Sequence, residues 1–228
     1  MKKLFSLLSP FERGLWSASL AAVVLSFVLS PEKDPVSLAA SAVGVTALIF
    51  VAKGHVAGQA LTVVFAVLYG AVSFACRYYG EMITYLGMTA PAAIFAMISW
   101  LRHPFRGSSE VAVARMTAKK WSLALLTTAA VTLAFYFILG SLGTAQLAVS
   151  TLSVATSFLA SALTFLRSPL YACAYAANDL VLIALWLLAL PTDPAALPMV
   201  ICFAAFLAND IYGFVNWRRM QTRQEKNS

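Results

Sequence analysis

The sequence predicts an all-α integral membrane protein with eight transmembrane helices. Of its 228 residues, 61% are hydrophobic and 11% are charged, and the mean hydropathy is +0.82. A helix needs about 20 apolar residues to cross a bilayer, so this length holds eight spans joined by short loops. The strict alternation of a membrane β-barrel is missing from the sequence. We therefore expect a helical bundle in a lipid bilayer without a soluble catalytic domain, and no nucleic-acid partner despite the formal charge of +7.

Prolines, glycines and charged residues separate the apolar runs. The segments Pro-Glu-Lys-Asp-Pro at 31–35 and Pro-Thr-Asp-Pro at 191–194 cannot continue a buried helix. The N-terminal segment has no clean signal-peptide cleavage site, so we expect its helix to be retained. The predicted spans are 14–30, 36–52, 57–76, 82–101, 121–140, 146–166, 170–190 and 196–217.

The distribution of basic residues predicts the orientation. Fourteen of the 16 Lys and Arg residues fall in tails and loops on one side of this topology, and only Lys33 and Arg77 fall on the other. Because cytoplasmic loops are enriched in Lys and Arg, we expect both termini in the cytoplasm. The opposite side carries four acidic residues, which would attract a cation; they are Glu32, Asp34, Glu81 and Asp193.

Two parts of the chain have a parallel organisation. Each has a helix that ends at a basic residue, Lys53 or Arg167, and each finishes on a tryptophan with a basic neighbour, Trp100 or Trp217. Repeats of three helices need a linker helix if both are to have the same orientation. The predicted parts are a tail with an extra helix (1–35), a first three-helix repeat (36–101), a cytoplasmic loop with the linker helix (102–145), a second three-helix repeat (146–217) and a cytoplasmic tail (218–228).

Acidic and amide residues inside the spans are the strongest functional signal. Asn178 and Asp179 lie in the seventh span, and Asn209 and Asp210 lie in the eighth. An aspartate at bilayer depth costs about 2.5 to 3.5 kcal/mol on insertion scales, so such residues commonly mark a substrate path. The alternative is that these four residues bond one another or the backbone and only hold helices together.

Aromatic residues share helix faces with these polar groups. Tyr171 and Tyr175 share a face with Asn178. On the eighth span Phe206 and Trp217 follow the stride of Asp210, and Asn216 follows that of Asn209. Aromatic rings attract cations by about 0.5 to 2 kcal/mol, and the amides and acids can bond hydroxyl groups. This combination predicts a site for a flat, cationic, hydroxylated ligand such as a nucleoside-like vitamin precursor. Trp100 and Trp217 either line this path or anchor their helices at the membrane interface.

The first half offers weaker candidates. Gln59 in the third span and Thr89 in the fourth are the nearest polar counterparts for substrate binding. Pro91 should kink the fourth span, and such a kink could serve as a gate. No nucleophile triad, zinc-protease motif, phosphate-binding loop or Cys-x-x-Cys pair occurs, and the three cysteines lack metal-ligand spacing. We therefore expect neither an enzyme nor a bound cofactor or metal.

Four sequence stretches resemble the PnuC family of bacterial vitamin-precursor transporters, over about residues 36 to 219. They are Tyr79-Gly80-Glu81-Met82, Pro91 nine residues before Trp100, Arg167-Ser168-Pro169-Leu170-Tyr171 leading to Asn178-Asp179, and Asn209-Asp210-Ile211-Tyr212-Gly213-Phe214 followed by Asn216-Trp217. The resemblance implies a SWEET-like fold of parallel repeats in the bacterial cell membrane. It further implies facilitated diffusion of nicotinamide riboside for NAD synthesis, without ion coupling, and with the substrate trapped by a cytoplasmic kinase that phosphorylates it. We also expect a homo-oligomer.

On this interpretation the candidate residues take separate roles. Asp179 or Asp210 offers charge, Tyr171 and Tyr175 offer stacking, and the asparagines bond the amide or the ribose hydroxyls. Trp100 and Trp217 line or close the inner end, and Glu81 lies near the outer entrance.

The sequence departs from the family pattern at two places. Leu170 and Ala174 stand where tryptophans are usual, and Ala92 and Ala93 replace a common glutamine. Relatives with this scaffold carry thiamine or nucleosides, which are alternative substrates. A membrane scaffold that transports nothing is the alternative from another class.

Overall fold

The prediction of an all-helical bundle with eight spans is confirmed. The computed structural model of the protein describes residues 7–29, 35–75, 79–144, 146–191 and 197–227. These residues contain eight helices that are long and apolar enough to cross a membrane. In chain order they are α1 (Pro10–Leu29), α2 (Pro35–Ala52), α3 (Ala57–Ala75), α4 (Tyr79–Thr84, the π-helical segment Tyr85–Thr89 and Ala90–Arg102), α5 (Ala118–Ser141), α6 (Leu147–Phe165), α7 (Tyr171–Ala189) and α8 (Leu197–Lys226).

Helix α1 begins at Pro10 and not at residue 14 because a capping box starts it. The Ser9 amide donates to Glu12 Oε2 at 2.6 Å, and the Glu12 amide donates to Ser9 Oγ at 3.3 Å. Proline is well suited to the first helical position because its missing N–H has no partner there in any case. Glu12 and Arg13 therefore belong to the helix and not to a tail.

A π-helical turn stands where the sequence predicts a kink in α4. The Ala90 amide donates to the carbonyl oxygen of Tyr85, five residues earlier, and Pro91 has no amide hydrogen to donate. The missing donor explains why the regular ladder is interrupted at this point. Single π-helical turns within α-helices often occur at functional sites.

The first helix of each predicted repeat ends in the same way. The amides of Gly54 and Arg167 donate to the carbonyl oxygens of Val51 and Thr164, at 2.9 and 3.0 Å. Both residues have left-handed backbone angles, with φ of 64° and 58°, which is a common way to end a helix. By its conformation Arg167 corresponds to Gly54. The sequence pattern pairs it with Lys53, so the correspondence between the halves is shifted by one residue.

Two tryptophans cross-connect the halves at these helix ends. Trp217 of α8 donates its indole N–H to Val51 O of α2 at 2.9 Å, and Trp100 of α4 donates to Thr164 O of α6 at 3.0 Å. The two rings lie 5.4 Å apart, and both side chains are buried within the protein. They are therefore not anchors at the membrane interface.

Each tryptophan is preceded by a polar residue that bonds to the next carbonyl group of the same helix end. Ser99 Oγ donates to Phe165 O, and Asn216 Nδ2 donates to Ala52 O, each at 2.9 Å. The third helix of each half is thus bonded to the end of the first helix of the other half. We call this end of the bundle, with residues 53–56, 103–117 and 166–170, the loop end.

The loop between α4 and α5 bonds to both helix ends as well. The Val111 amide donates to Gly54 O and the Ala114 amide donates to Arg167 O, both at 3.0 Å. Helix α8 continues past the predicted end of its span at residue 217 and covers this loop. Gln224 there accepts a hydrogen bond from the Val113 amide at 2.8 Å. The segment predicted as a tail is therefore a helical part of the loop end.

Replacing either tryptophan by phenylalanine tests the cross-connection. Trp217→Phe and Trp100→Phe keep an aromatic ring but remove a buried donor, so each should lower the free energy of unfolding by about 1 kcal/mol. Thermal unfolding of the detergent-purified protein measures this change. Trp121→Phe is the matched control, because Trp121 packs only at the edge of the same cluster. Equal stability of all three variants would contradict the structural role of the two indole donors.

Candidate substrate-binding site

The structure brings Asp179 of α7 and Asp210 of α8 together in the interior of the bundle. Both residues are buried, at 3% and 4% exposed, and their carboxyl groups are close enough to interact electrostatically. We call them the carboxyl pair. Carboxyl groups that lie together in a medium of low dielectric constant are costly to bury.

The carboxyl pair has no cationic partner in the described part of the chain. The three ion pairs found there are Lys53 with Glu12, Arg115 with Glu225, and Arg223 with Glu110. Oδ2 of Asp179 is buried and makes no hydrogen bond within the described ranges. Buried charges are ordinarily paired or bound to a ligand. The pair is therefore the place where a cationic ligand has most to contribute.

The two tyrosines of α7 lie beside the carboxyl pair. Tyr175 interacts electrostatically with both carboxyl groups, and its hydroxyl lies 3.0 Å from Ser161 Oγ. Tyr171 is only 1% exposed and packs edge to face on Trp217, with ring centroids 4.9 Å apart. A β-carbon on Gly213 would lie 3.0 Å from the Tyr171 hydroxyl, so glycine lets this ring approach α8. In this conformation Tyr171 is part of the packing at the loop end and has no open face for a ligand.

The two asparagines turn toward different neighbouring helices. Asn178 Oδ1 accepts hydrogen bonds from Ser153 and Thr156 of α6, at 3.2 and 3.0 Å. Asn209 Nδ2 donates to Ser19 of α1 at 2.8 Å, while its Oδ1 is buried without a partner among the described residues. These contacts are the helix-joining kind, except for the free acceptor of Asn209. The four polar residues therefore do not all face one space.

Other predicted site residues lie away from the carboxyl pair. Gln59 is buried in the first turn of α3, and Thr89 lies in the π-helical segment, where its hydroxyl donates to Thr84 O at 3.4 Å. Asn216 is bonded to the end of α2 at the loop end. Glu81 lies in α4, but its side chain is outside the described residues. So are the other residues predicted on that side, namely Glu32, Lys33, Asp34, Arg77 and Asp193.

An aromatic cluster adjoins the site, and only part of it was predicted. The Phe65 ring of α3 lies 5.7 Å from both Tyr69 and Tyr85 and 6.1 Å from Phe206. Phe206 precedes Asp210 by one helical turn, so the cluster and the carboxyl pair follow one another along α8. The sequence pattern singles out Phe206 by its spacing from Asp210. Phe65 and Tyr85 carry no such signal, because aromatic residues are common in apolar spans.

A cavity of about 460 Å³ lies between α4, α5 and α6. Pro91 and Ser161 are among its lining residues, and Ser161 also contacts the Tyr175 hydroxyl. The volume is within the range of small-molecule sites. The cavity therefore borders α4 at the point where its π-helical turn ends, and it leaves this part of the helix space to move.

Helix α1 is held against the helices of the site by buried polar contacts. Glu12 is 2% exposed, and its carboxylate lies 3.0 Å from Lys53 Nζ and accepts a hydrogen bond from the Tyr212 hydroxyl at 2.7 Å. Trp16 Nε1 donates to Thr46 Oγ1 of α2 at 3.1 Å. Glu12 and Lys53 are 41 positions apart in the sequence, and no pattern there predicts this network. The Ser9-x-x-Glu12 pattern could have placed Glu12 in the helix but could not have named its partners.

Burial changes the acid–base properties of two residues at the loop end. Burial lowers the pKa of the Arg167 guanidinium. Burial, and secondarily the charge of Lys53, lower the pKa of His55. His55 is therefore neutral at physiological pH and accepts a hydrogen bond from the Ala57 amide at 3.1 Å.

Eight membrane-spanning helices around a buried acidic site define a membrane transport protein. A family model described as nicotinamide mononucleotide transporter matches residues 34–219. The chain belongs to this family, which confirms the resemblance that its motifs indicate and assigns it to transporters and not to enzymes.

Two relatives and one solved structure agree with this assignment. A nicotinamide riboside transporter PnuC from Neisseria mucosa is 26% identical over 227 residues, covering 97% of this chain and 86% of the relative. Another from Haemophilus influenzae is 24% identical, covering 94% of this chain and 92% of the relative. The crystal structure of the vitamin B3 transporter PnuC matches with a TM-score of 0.80 at 24% identity, over 95% of this chain and 94% of that one. The structural match confirms the fold.

Removing the counter-ion of Glu12 tests the attachment of α1. Lys53→Met leaves a buried carboxylate unpaired and should lower the free energy of unfolding by about 2 kcal/mol. The double variant Glu12→Gln/Lys53→Met should lose less than the sum of the single variants, because both charges are gone. Arg115→Gln, in an exposed ion pair, is the control and should change stability little. Additive losses in the double variant would show that the pair does not couple α1 to α2.

Proposed function

We propose that the protein imports nicotinamide riboside across the bacterial cytoplasmic membrane. The observation that carries the proposal is the carboxyl pair, which is buried at membrane depth without a basic partner in the described ranges. The pyridinium ring of nicotinamide riboside supplies the missing positive charge. Both relatives described above are named as transporters of this compound.

The charge of the site favours the riboside over its phosphorylated form. A phosphate group beside Asp179 and Asp210 would place like charges together in a medium of low dielectric constant, where repulsion is strong. A mononucleotide site would need basic residues such as arginine, which binds phosphate with two hydrogen bonds. None of the three ion pairs in the described part of the chain brings a basic residue to the carboxyl pair.

The other groups around the pair suit the rest of the substrate. The free Oδ1 of Asn209 can accept a hydrogen bond from the carboxamide or from a ribose hydroxyl. Tyr175 and the neighbouring aromatic cluster offer faces for the ring. Trp100 and Trp217 close the loop end beneath the site, and Asn178 holds α7 to α6. Gln59, Thr89 and Glu81 remain candidates for contacts along the path.

The basic loop end faces the cytoplasm in this proposal, and so do both termini. Arg102, Arg106, Lys119 and Lys120 flank the loop there, as the positive-inside rule requires. Transport then means opening the loop end while the opposite side closes. The exchanged bonds between the halves support a parallel repeat of three helices, whose rocking would expose the site to each side in turn. Pro91 and the π-helical turn would act as the gate in α4.

Import proceeds by facilitated diffusion, and phosphorylation by a cytoplasmic kinase traps the product for NAD synthesis. A phosphate group would weaken rebinding at the acidic site, so the kinase reaction also prevents export by the same route. The protein acts as a homo-oligomer in which each chain has its own path.

Two alternatives have support in specific observations. Thiamine is also a cation, and Leu170 and Ala174 replace the family's usual tryptophans, so a different ring could be preferred. The scaffold alternative is supported by Asn178 and Asn209, whose side chains join neighbouring helices.

Ligand-induced thermal stabilisation separates these possibilities. Wild type should be stabilised by about 2.7 kcal/mol when nicotinamide riboside is at a hundredfold excess over its dissociation constant. Nicotinamide mononucleotide and uncharged nucleosides should give smaller shifts, and Asp179→Asn should lose most of the shift. Glu225→Gln, an acid-to-amide change in an exposed ion pair, is the control and should keep it.

Uptake of labelled nicotinamide riboside into liposomes tests transport itself, and no imposed ion gradient should be needed. Thermal stabilisation by thiamine and not by nicotinamide riboside would show that thiamine is the substrate. No shift with any compound and no uptake would support the scaffold.

A further inference from the structure

We propose that the groove between α4, α5 and α6 binds an anionic phospholipid, with an acyl chain along the groove and the phosphate group at the loop end. The groove is the cavity of about 460 Å³ described above. Helices α4 and α5 both pack on α6 but hardly touch each other, so the space between them stays open toward the bilayer. The inference does not depend on which substrate the protein carries.

The walls of the groove suit a hydrocarbon chain and not a polar solute. Phe95, Leu123 and Phe165 line it and are 60%, 58% and 44% exposed, so the protein leaves much of their apolar surface uncovered. Only Thr127 and Ser161 among the lining residues have polar side chains. The Thr127 hydroxyl donates to a carbonyl oxygen of its own helix at 2.8 Å, and Ser161 Oγ is hydrogen-bonded to a tyrosine of α7 at 3.0 Å. Both hydroxyls are thus engaged, and an acyl chain gains dispersion contacts with the rest of the wall.

Each of the three helices has a basic residue at the loop end of the groove. Arg102 is in the last turn of α4, two helical turns after the lining residue Phe95. Lys120 is in the first turn of α5, one turn before the lining residue Ala124. These spacings keep both basic residues on the helix faces that form the groove. Arg167 comes directly after the last lining residue.

Hydrogen bonds hold these three helix ends next to each other. Ser99 Oγ of α4 donates to Phe165 O at the end of α6, at 2.9 Å. The Ala114 amide, in the loop before α5, donates to Arg167 O at 3.0 Å. Lys120 Nζ donates to the carbonyl oxygen of the next loop residue at 3.0 Å. The basic residues therefore belong to one connected part of the loop end.

The positive charge of this region exceeds the negative charge around it. From residue 90 to residue 167 the sequence has six Lys and Arg residues and one acidic residue, Glu110, which is paired with Arg223 of α8. None of the described ion pairs includes Arg102, Lys120 or Arg167. Nε of Arg167 is buried without a hydrogen-bond partner in the described ranges. A lipid phosphate supplies the missing charge, and basic pockets between membrane helices bind anionic headgroups in this way.

Thermal unfolding of the detergent-purified, lipid-depleted protein tests the site. The probe is dioleoyl-phosphatidylglycerol, and dioleoyl-phosphatidylcholine is the matched lipid without net charge. The anionic lipid should raise the unfolding temperature at concentrations about tenfold lower than the zwitterionic lipid, because it alone has a net charge for the basic residues. Inorganic phosphate at the same concentrations should have no effect, since it lacks the acyl chain. Equal effects of the two lipids, or an equal effect of phosphate alone, would overturn the proposal.

Charge-removing variants locate the headgroup. Arg102→Gln/Lys120→Gln should raise the phosphatidylglycerol concentration needed for stabilisation by about tenfold or more. Arg218→Gln/Arg219→Gln removes the same charge from exposed positions on α8 and should leave that concentration unchanged. An equal loss in the two double variants would show a general attraction to the basic surface and would overturn the site.

A groove-filling variant locates the acyl chain. Ala162→Phe places a ring in the groove and should weaken stabilisation by the anionic lipid. Ala129→Phe adds the same ring at an exposed position of α5 outside the groove and should not. Retention of wild-type lipid stabilisation by Ala162→Phe would contradict the groove as the binding site. If that variant does not fold, the comparison of the two lipids on the wild type still decides the proposal.

Discussion

Two aspartates buried next to each other inside a membrane impose the main constraint on this protein. Two ionised carboxylates in contact at low dielectric would repel strongly, and one carboxylate without a partner is already costly to bury. The bundle buries Asp179 on α7 and Asp210 on α8, and Oδ2 of Asp179 has no hydrogen-bond partner among the described residues. In the proposed function, a cationic substrate relieves this cost where it binds. The same buried acids would then account for both the affinity that we propose and the selection against phosphate.

The rest of the bundle holds α7 and α8 around that pair. Helix α1 bonds to α8 from behind through Glu12 and Asn209, and Asn178 fixes α7 to α6. At the loop end, Trp100 and Trp217 each bond to the carbonyl group at the end of a helix in the other half. If transport opens this end, as we propose, these reciprocal bonds must break, so they favour the conformation in which the end is closed. Because the bonds come in equivalent pairs, each half restrains the other in the same way.

The sequence predicted the eight helices well because a bilayer demands long apolar runs, and loops interrupt those runs with prolines and charges. It also selected Asp179 and Asp210, because acids are rare at membrane depth. It did not predict that the neighbouring Asn178 and Asn209 face other helices. Helical periodicity gives only the approximate direction of a side chain and does not identify the residues that it contacts. The Glu12 to Lys53 ion pair joins residues 41 positions apart, and Phe65 looks like any core aromatic. Such contacts depend on how the helices pack, which a single sequence does not specify.

The structure of the protein with bound nicotinamide riboside would test the central claim most directly. We expect the pyridinium ring to contact the carboxylates of Asp179 and Asp210, with the aromatic cluster of Phe65, Tyr69, Tyr85 and Phe206 next to it and Asn209 Oδ1 within hydrogen-bonding distance of the substrate. The carboxylate oxygens should then face the ring instead of each other. Substrate bound only in the cavity between α4, α5 and α6, without contact to the carboxyl pair, would contradict this account.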